Sequence, residues 1–329
     1  MQGSLRGNFS KGGTPPFAVN RQSALMSPSS QPLVIALMGP TASGKTALAI
    51  EIAQALDLAV LSVDSRQLYK EMTIGTAKPT AEQRATVRHE LLDLRAPDEP
   101  INLQEFRQEA DRAIEAEHKR RGIAFLVGGS GLYIKAITQG MTPPAVPPQP
   151  QLRADLEALG QSQCYALLRQ ADPDAADRIM ANDAVRTQRA LEVLYATGRP
   201  LSQQQGSNPP PWRVLELGLN PSNLRQRIAQ RSRALYTEGL VAETRGLLER
   251  YGQGCALLET IGYAEAGALL RGELTEEQAI EQTTKRTQQF AKRQKTWFRR
   301  QHQPLWLDAP GQEDNPLKRA LSAIEHVLG

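Results

Sequence analysis

The sequence predicts an α/β protein built on a mostly parallel sheet with helices on its faces. Two observations carry this prediction. Short continuous apolar runs alternate with longer stretches at helical spacing, and a glycine-rich loop joins the first apolar run to the first helix. Strands of a parallel sheet are buried on both faces, so they read as unbroken apolar runs and not as alternating ones.

The first predicted strand is Leu33 to Met38, and it leads directly into a phosphate-binding loop pattern. The segment Gly39-Pro40-Thr41-Ala42-Ser43-Gly44-Lys45-Thr46 matches G-x-x-x-x-G-K-[ST], and the good helix formers of Ala47 to Leu56 follow it. In such loops the backbone amides and the helix N-terminus face a phosphate, the lysine adds a cation, and the last hydroxyl is a ligand for Mg²⁺. The pattern predicts a P-loop NTPase-like core, a bound di- or triphosphate, and a metal ligand at Thr46.

The remaining elements of the core follow in chain order. Predicted strands cover Leu58 to Val63, Ile123 to Val127 and Trp212 to Leu219, and a helix is predicted over Leu103 to Arg120. Ligands of an open parallel sheet bind outside the carboxyl ends of its strands. The phosphate loop, Asp64 to Gln67 and Gly128 to Gly131 should therefore line one crevice.

Asp64 is the main candidate for chemistry in this crevice. A carboxylate beside bound phosphates can hold magnesium or take a proton from an attacking nucleophile. The alternative is an aspartate that only caps a turn, and Gly128 to Gly131 alone is equally consistent with a tight turn. Asp64 and Asp93 are the only strand-end aspartates, whereas the strongest downstream strand ends in Gly128-Gly129, which weakens the reading of an NTPase motor or switch.

Two proline-rich segments interrupt the α/β pattern. Prolines at this density form stiff extended connectors, and the block between them has only helical periodicity. A helical subdomain is therefore predicted to be inserted into the α/β core. The connectors are residues 142–150 and 208–211, the inserted subdomain covers 142–211, and the core with its helical C-terminal part covers 32–141 and 212–329.

Composition limits the class of protein. The chain has 329 residues, no apolar stretch long enough to span a bilayer, and two isolated cysteines that fit neither a disulfide framework nor a zinc site. Residues 1–31 lack acids and apolar periodicity, which predicts disorder, with a transit peptide or a start at Met26 as alternatives. We expect a monomeric cytoplasmic protein with no membrane partner, and its net charge of +4 permits a polyanionic partner if the basic residues cluster.

A late helix carries such a cluster. At about 100° per residue, one stripe holds Lys285, Lys292, Lys295 and Arg299, with Arg286, Arg293 and Arg300 beside it. Phe290, Ala291 and Phe298 fall toward the opposite face, and Trp297 lies near its border, where it is expected to anchor the helix to the core. Residues 285–300 include no acid, so the face suits the phosphates of a nucleic acid, although a solvated surface is the alternative.

An earlier helix places Arg227 and Arg231 one turn apart, with Leu224, Ile228 and Leu235 on its apolar side. Two arginines at this spacing can clamp one anion. Pairing with acids elsewhere on the surface is equally consistent with the sequence.

Together these motifs resemble the tRNA dimethylallyltransferase family, also called tRNA isopentenyltransferases. The resemblance runs from about Leu33 to Leu307, and the ordered set is far more specific than the phosphate loop, which many kinases share. Besides that loop it comprises SVDSRQLY at 62–69, IGTAKP at 74–79, LVGGSGLY at 126–133, Asn182-Asp183 with Arg186, RALEV at 189–193, and KRQKTWFR at 292–299.

The resemblance implies transfer of a dimethylallyl group from dimethylallyl diphosphate to N6 of the adenosine just 3′ of the anticodon in tRNA, with release of diphosphate. It implies that Asp64 takes the N6 proton. The departing diphosphate would be stabilised by Thr41, Lys45, Arg231, and Thr46 with Mg²⁺. Contacts with tRNA are implied for Asp64, Ser65, Arg66, Gln67, Ser130, Arg153, Val185, Arg186, Thr187, Gln188, Arg189, Lys292, Arg293, Gln294, Lys295, Thr296, Trp297, Phe298 and Arg299.

Two departures from the family pattern matter. Most relatives have threonine where this chain has Ser130, which preserves the hydroxyl. Eukaryotic relatives add a zinc-finger tail that this sequence lacks, so bacterial relatives are expected to be nearest. The alternatives are a small-molecule kinase, an RNA-binding module with a vestigial nucleotide site, and prenylation of free adenine nucleotides.

Overall fold

The computed structural model describes residues 31–204, 206–308 and 315–329, so nearly all of the extension predicted over 1–31 lies outside the described residues. The strands are β1 (Leu33–Met38), β2 (Val60–Val63), β3 (His89–Glu90), β4 (Ile123–Gly128), β5 (Met141–Thr142), β6 (Gly206–Ser207), β7 (Arg213–Gly218) and β8 (Leu305–Trp306). The helices are α1 (Lys45–Leu56), α2 (Ala81–Thr86), α3 (Leu103–Arg121), α4 (Gly131–Thr138), α5 (Pro150–Leu159), α6 (Gln161–Ala171), α7 (Pro173–Arg178), α8 (Ala184–Thr197), α9 (Leu224–Thr237), α10 (Leu240–Tyr251), α11 (Tyr263–Leu270), α12 (Glu276–Gln301) and α13 (Pro316–Leu328).

The main sheet has six strands in the order β3-β2-β4-β1-β7-β8, and every neighbouring pair is parallel. β1 and β4 are buried at every position, as unbroken apolar runs predict. Alternate residues of β1 enter separate cores on the two faces of the sheet, with Val34 in one and Leu33 in the other. The predicted α/β class with a mostly parallel sheet is confirmed.

The register of the sheet brings three strand ends together. Met38, the last residue of β1, pairs with Gly128 of β4 on one side and with Gly218 of β7 on the other. Val63, the last residue of β2, also pairs with Gly128. The loops that follow β1, β2 and β4 therefore leave the sheet side by side, which places the predicted crevice at this edge.

Strand β2 is shorter than predicted. The predicted strand starts at Leu58, but the backbone N–H of Leu58 donates to the Ala53 carbonyl at the end of α1, and the sheet begins at Val60. Leu58 is therefore used to end a helix. It is buried there, so its apolar side chain carries the same sequence signal as a strand residue.

Helices α5 to α8 form a block with its own apolar core, which includes Leu156, Cys164, Leu168 and Leu191. The two connectors meet at its base, because β5 pairs antiparallel with β6, Met141 opposite Ser207. The helical periodicity predicted for 151–206 is thus present as four helices and a 3₁₀ turn at Leu201–Gln203. The boundaries of a separate subdomain at 142–211 stay a prediction.

Helix α12 is the longest helix of the described ranges and carries the predicted basic cluster. It starts at a capping box, in which the Thr275 side chain accepts from the N–H of Gln278 and the Gln278 side chain accepts from the N–H of Thr275. Its buried residues include Ala291, Gln294 and Phe298, which face the core around the sheet. Across the part of the chain that the structure describes, no helix is both long and apolar enough to cross a membrane.

Candidate functional site

The phosphate loop connects β1 to α1 and is held in a strained conformation. Ala42 has a positive φ of 63°, which costs a non-glycine residue about 1 kcal/mol, and Gly44 has φ 97° just before the helix. The Lys45 ammonium donates to the carbonyls of Gly39 at 3.0 Å and Pro40 at 2.9 Å. Burial lowers the pKa of Lys45 from 10.5 to about 8, although the nearby Asp64 opposes this shift. The lysine is thus placed inside the loop, as the motif requires.

Asp64 follows the last residue of β2 and is fixed by its neighbours. Its Oδ1 accepts a hydrogen bond from the backbone N–H of Arg66 at 2.9 Å, so the carboxylate does cap the turn that it begins. It also lines the cavity that contains the phosphate loop. Capping the turn and acting in the cavity, the two alternatives that the sequence left open for Asp64, are therefore compatible.

Ser130 ties the end of β4 to this turn. Its hydroxyl accepts from the backbone N–H of Ser65 at 2.9 Å, and its own N–H donates to the carbonyl of Val63 at 3.3 Å. A Cβ on Gly128 would collide with the carbonyl of Val63, so only glycine lets β4 end so close to β2. Gly128 to Gly131 is consequently a tight turn that also supports the site.

One cavity of about 470 Å³ joins these loops. Its lining comes mainly from the phosphate loop, the ends of β2 and β4, and helices α9, α11 and α12. It includes the polar residues Thr41, Lys45, Thr46, Asp64, Ser130, Arg231, Arg293 and Gln294 and the apolar or aromatic residues Ile228, Leu235, Tyr263 and Phe290. A lining of both kinds suits a ligand that is itself part anion and part hydrocarbon.

The two arginines of α9 have different positions. Arg231 lines the cavity, and among the described residues its guanidinium has no hydrogen-bond or ion-pair partner. Burial lowers the pKa of Arg231, with Asp64 opposing that shift. Arg227 instead donates through Nε to the carbonyl of Ala42 at 3.0 Å. Arg231 thus faces the cavity, whereas Arg227 holds the phosphate loop.

The side chain of Gln67 makes its hydrogen bonds within the protein. Its Oε1 accepts from the hydroxyl of Ser62 at 3.1 Å, and its Nε2 donates to the carbonyls of Thr76 at 3.2 Å and Ala77 at 3.1 Å. The side chain therefore fixes the loop that carries the IGTAKP motif. Arg66 beside it is exposed.

Glu243 on α10 also holds this loop, and no sequence pattern points to it. Its carboxylate accepts from the backbone N–H groups of Thr73, Ile74 and Gly75 at 2.8–3.1 Å and from the Tyr263 hydroxyl at 2.6 Å. Tyr263 lies against Gly75, where a Cβ would collide with its ring. The hydrogen bonds between Glu243 and the loop join residues about 170 positions apart, and no local sequence pattern encodes them.

Asp93, the other strand-end aspartate, has a structural role. Its two carboxylate oxygens accept from Lys78 at 2.6 Å and from Arg84 at 2.9 Å. Lys78 is buried and also donates to the carbonyl of Tyr69. Asp64 is therefore the aspartate that remains for chemistry in the cavity.

The basic helix α12 matches the predicted face only in part. Lys285, Lys292, Arg293, Arg299 and Arg300 are exposed and Lys295 is half-buried. Arg286 was placed on the free basic face, but it pairs with the buried Glu265 of α11. Phe290 was placed toward the apolar face, yet it is 39% exposed, lines the cavity and has Arg293 stacked over its ring at 5.9 Å.

Other residues in the predicted tRNA-contact ranges are buried. The side chains of Thr187, Gln294 and Phe298 are buried in this structure. Ranges taken from a motif include residues on every side of a helix, so they contain buried positions, and the contacts with tRNA stay predictions. Trp297 packs against the core beside Gly131, as its place on the helix predicted.

In the helical block, two of the predicted contact residues, Arg153 and Arg189, bind one buried carboxylate, that of Glu192. Arg153 donates to both oxygens of Glu192, at 2.8 and 2.9 Å, and Arg189 donates to Glu192 and to the carbonyl of Val146. Val185 is 78% exposed, Arg186 is exposed and Gln188 is half-buried. The structure therefore groups two of the predicted arginines at the base of the block.

Comparisons with known proteins identify the family of this chain. A family model described as IPP transferase matches residues 67–301. The tRNA dimethylallyltransferase of Synechococcus sp. (strain CC9311) is 64% identical over 298 residues, which cover 91% of this chain and 95% of that protein. The crystal structure of the full-length tRNA isopentenylpyrophosphate transferase from Bacillus halodurans is 33% identical with a TM-score of 0.66, covering 91% of this chain and 97% of the other.

A third comparison is with a eukaryotic protein. The crystal structure of a eukaryotic dimethylallyltransferase acting on tRNA aligns with a TM-score of 0.74 at 28% identity, covering 90% of this chain and 79% of the other. The family model covers β4, β7 and α12, and the alignment with the Synechococcus relative covers 91% of the chain. The chain belongs to the IPP transferase family.

Proposed function

We propose that this protein transfers a dimethylallyl group from dimethylallyl diphosphate to N6 of the adenosine just 3′ of the anticodon in tRNA, and releases diphosphate. The observation that carries the proposal is that the phosphate loop, Asp64 and apolar walls share one cavity. A relative that is 64% identical is named tRNA dimethylallyltransferase, which supports the same activity.

The donor's diphosphate would occupy the phosphate loop. Lys45 and Arg231 supply positive charge there, and the Thr41 side chain lines the same cavity. The hydrocarbon tail would lie against apolar residues such as Ile228 and Leu235. No nucleotide is needed, because an allylic diphosphate presents the same two phosphates as the tail of a nucleotide.

In the reaction, the N6 nitrogen attacks the first carbon of the dimethylallyl group, and the bond from that carbon to the diphosphate oxygen breaks. Lys45, Thr41 and Arg231 stabilise the charge that collects on the departing oxygen. Asp64 accepts the proton that the attacking nitrogen loses. The Arg66 N–H and the Ser130 contact keep the carboxylate turned toward the cavity.

A magnesium ion fits the oxygen ligands of this cavity. The Thr46 hydroxyl and the Asp64 carboxylate both line it, whereas no group of three or more His, Cys, Asp or Glu residues occurs among the described residues. Mg²⁺ typically takes one or two protein oxygens and completes its shell with phosphate and water. When bound, it would supply positive charge to the leaving diphosphate.

The tRNA would contact two surfaces. One is the exposed basic side of α12, including Lys292 and Arg299, and the other is the helical block over 142–211, which we propose acts as a separate tRNA-binding subdomain. Ser65 and Arg66 line the cavity and would reach the nucleotides next to the target adenosine. We also propose that the enzyme acts in the cytoplasm, since tRNA is found in that compartment. We propose that it acts as a monomer.

The test is to incubate the purified protein with Mg²⁺, radiolabelled dimethylallyl diphosphate and either tRNA or free AMP, ADP or ATP. We expect label on the adenosine next to the anticodon and one diphosphate released per transfer. Inorganic diphosphate should compete with the donor, and ATP should not be consumed. Label on free nucleotides would shift the proposal to nucleotide prenylation, formation of ADP would favour a kinase, and tRNA binding without transfer would favour an RNA-binding module.

A further inference from the structure

We propose that Gln294 is a positioning residue of the donor site: it holds the phosphate loop in the shape that binds the donor's diphosphate. This inference rests on the proposed function. It assigns Gln294 a task different from the contact with tRNA that its place in the KRQKTWFR motif implies.

The side chain of Gln294 joins two loops of the site. Its Oε1 accepts a hydrogen bond from the backbone N–H of Thr41 at 2.8 Å, and its Nε2 donates to the carbonyl of Gly129 at 2.9 Å. Gln294 is only 8% exposed, so both bonds are largely shielded from bulk water. The link connects the loop after β1 to the loop after β4.

The position of this link explains how the loop keeps its strain. Ala42, directly after Thr41, has the unfavourable φ of 63°. Such a conformation persists only where the surroundings over-determine it. Gln294 fixes the N–H of Thr41 and Arg227 fixes the carbonyl of Ala42, so the backbone is held on both sides of the strained residue.

Gly129 supplies an independent sign that the link is specific. A Cβ on Gly129 would lie 2.6 Å from Nε2 of Gln294, closer than real Cβ contacts allow. A glycine at this position therefore leaves room for the Gln294 amide. The second glycine of the GGSG turn is explained by this contact.

Gln294 lies on α12, the helix proposed to bind tRNA, and contacts the loop proposed to bind the donor's diphosphate. Lys292 and Lys295 lie on the same helix as Gln294, but their side chains are exposed or half-buried whereas Gln294 points inward. Changing Gln294 should therefore alter donor binding and leave the face proposed for tRNA unchanged. This predicts a separation of the two affinities that a general loss of structure would not give.

The experiment uses the full-length chain and four variants: Gln294→Ala, Gly129→Ala, the double variant, and Gln282→Ala as a control. Affinity for inorganic diphosphate with Mg²⁺ is measured by calorimetry, affinity for tRNA by filter binding, and KM and kcat by transfer. We expect Gln294→Ala to weaken diphosphate binding and raise the donor KM by roughly tenfold, the scale for losing a buried hydrogen-bonded link. Affinity for tRNA should stay within about twofold, and Gln282→Ala, an exposed glutamine on the same helix, should behave as wild type.

The double variant tests whether the two residues act through one contact. Gly129→Ala alone should weaken diphosphate binding, but adding it to Gln294→Ala should change the affinity by less than about twofold, because the colliding side chain is gone. Unchanged diphosphate affinity in Gln294→Ala, or equal losses for tRNA and diphosphate, would overturn the inference. If Gln294→Ala fails to fold, Gly129→Ala decides: a folded variant with wild-type diphosphate affinity contradicts the proposal.

The proposed function and this inference fail separately. A wild-type protein that binds diphosphate but transfers nothing to tRNA would remove the proposed function, and the diphosphate affinities would still test Gln294. A wild-type protein that transfers normally, with a Gln294→Ala variant that does the same, would remove the inference alone.

Discussion

The hydroxyl of Ser130 accepts a hydrogen bond from the backbone N–H of Ser65 at 2.9 Å, while the N–H of Ser130 donates to the carbonyl of Val63 at 3.3 Å. Asp64 is the residue between Val63 and Ser65. Ser130 therefore fixes the backbone on both sides of the proposed general base. A residue just after β4 thus holds the backbone that carries the carboxylate at the end of β2.

Replacing Ser130 tests this relationship. Ser130→Ala removes the acceptor for the Ser65 N–H and should lower kcat by roughly tenfold, as expected when a positioned catalytic group loses its support. Ser130→Thr keeps the hydroxyl and should retain near wild-type kcat. A steady-state assay with tRNA and donor measures both, and equal activity of the alanine and threonine variants would show that the hydroxyl does not position Asp64.

The pKa of Lys45 predicts how donor binding depends on pH. Burial lowers this pKa to about 8, so the ammonium is charged below that value and neutral above it in the free enzyme. A bound diphosphate favours the charged form. Above about pH 8, binding must therefore take up a proton, and the donor Kd should rise by up to tenfold per pH unit.

Lys45→Arg is the control for this pH dependence, because arginine stays charged across the range. Its donor Kd should change little between about pH 7 and pH 9, whatever its absolute affinity. Donor binding measured by calorimetry across this range gives both curves. The assignment would be wrong if the wild-type and arginine curves had the same slope.

The basic face of α12 predicts a salt effect on tRNA binding. Changing Lys292 and Lys295 together to Gln should weaken tRNA affinity and flatten its dependence on salt. Each lost phosphate contact reduces the slope of log affinity against log salt by roughly 0.7 to 0.9. Turnover at saturating tRNA should fall much less.

Lys119→Gln is the matched control for that change. Lys119 is exposed near the end of α3, which leads into the start of β4 and so lies at the opposite edge of the sheet from the cavity. Its removal should leave the salt slope unchanged. A double Gln variant with a wild-type slope would mean that the α12 face is only a solvated surface.

The lowered pKa of Glu192 predicts how the stability of the helical block changes at low pH. Burial alone raises the pKa of Glu192, but hydrogen bonds from Arg153 and Arg189 outweigh it and lower the pKa from 4.5 to about 2. The ionised Glu192 carboxylate therefore stabilises the folded protein above about pH 4.5, and this stabilisation is lost as the pH falls toward 2.

Glu192→Gln tests the contribution of these ion pairs. It should lower the free energy of unfolding by roughly 1–3 kcal/mol at neutral pH, since both arginines can turn to water. Thermal and denaturant unfolding measure this loss, with Glu157→Gln, an exposed change on α5, as the control. Equal stability of the two variants would remove the structural role of Glu192.

The sequence predicted the parts of the site that depend on local patterns. β1 runs over Leu33–Met38 as expected, and the phosphate loop and Asp64 lie in one cavity because parallel strands end at one edge. Such features follow from periodicity and from the geometry of parallel sheets. They need no knowledge of distant contacts.

The rest depends on contacts between distant segments. The helix stretch 285–300 contains no acid, yet Arg286 is neutralised by Glu265 from another helix. Gln294 looks like a surface residue among lysines, but its partners are Thr41 and Gly129, far away in the sequence. Helical periodicity places a residue on a face and cannot say which element covers that face.

The central claim is that Asp64 takes the N6 proton while the diphosphate leaves from the phosphate loop. The direct measurement is the single-turnover rate of dimethylallyl transfer by Asp64→Asn at saturating tRNA and donor, with tRNA affinity measured on the same preparation. We expect the rate to fall by roughly 10²- to 10⁴-fold, the range for loss of a positioned general base, with tRNA affinity changed only a few-fold. A near-normal single-turnover rate would contradict the account.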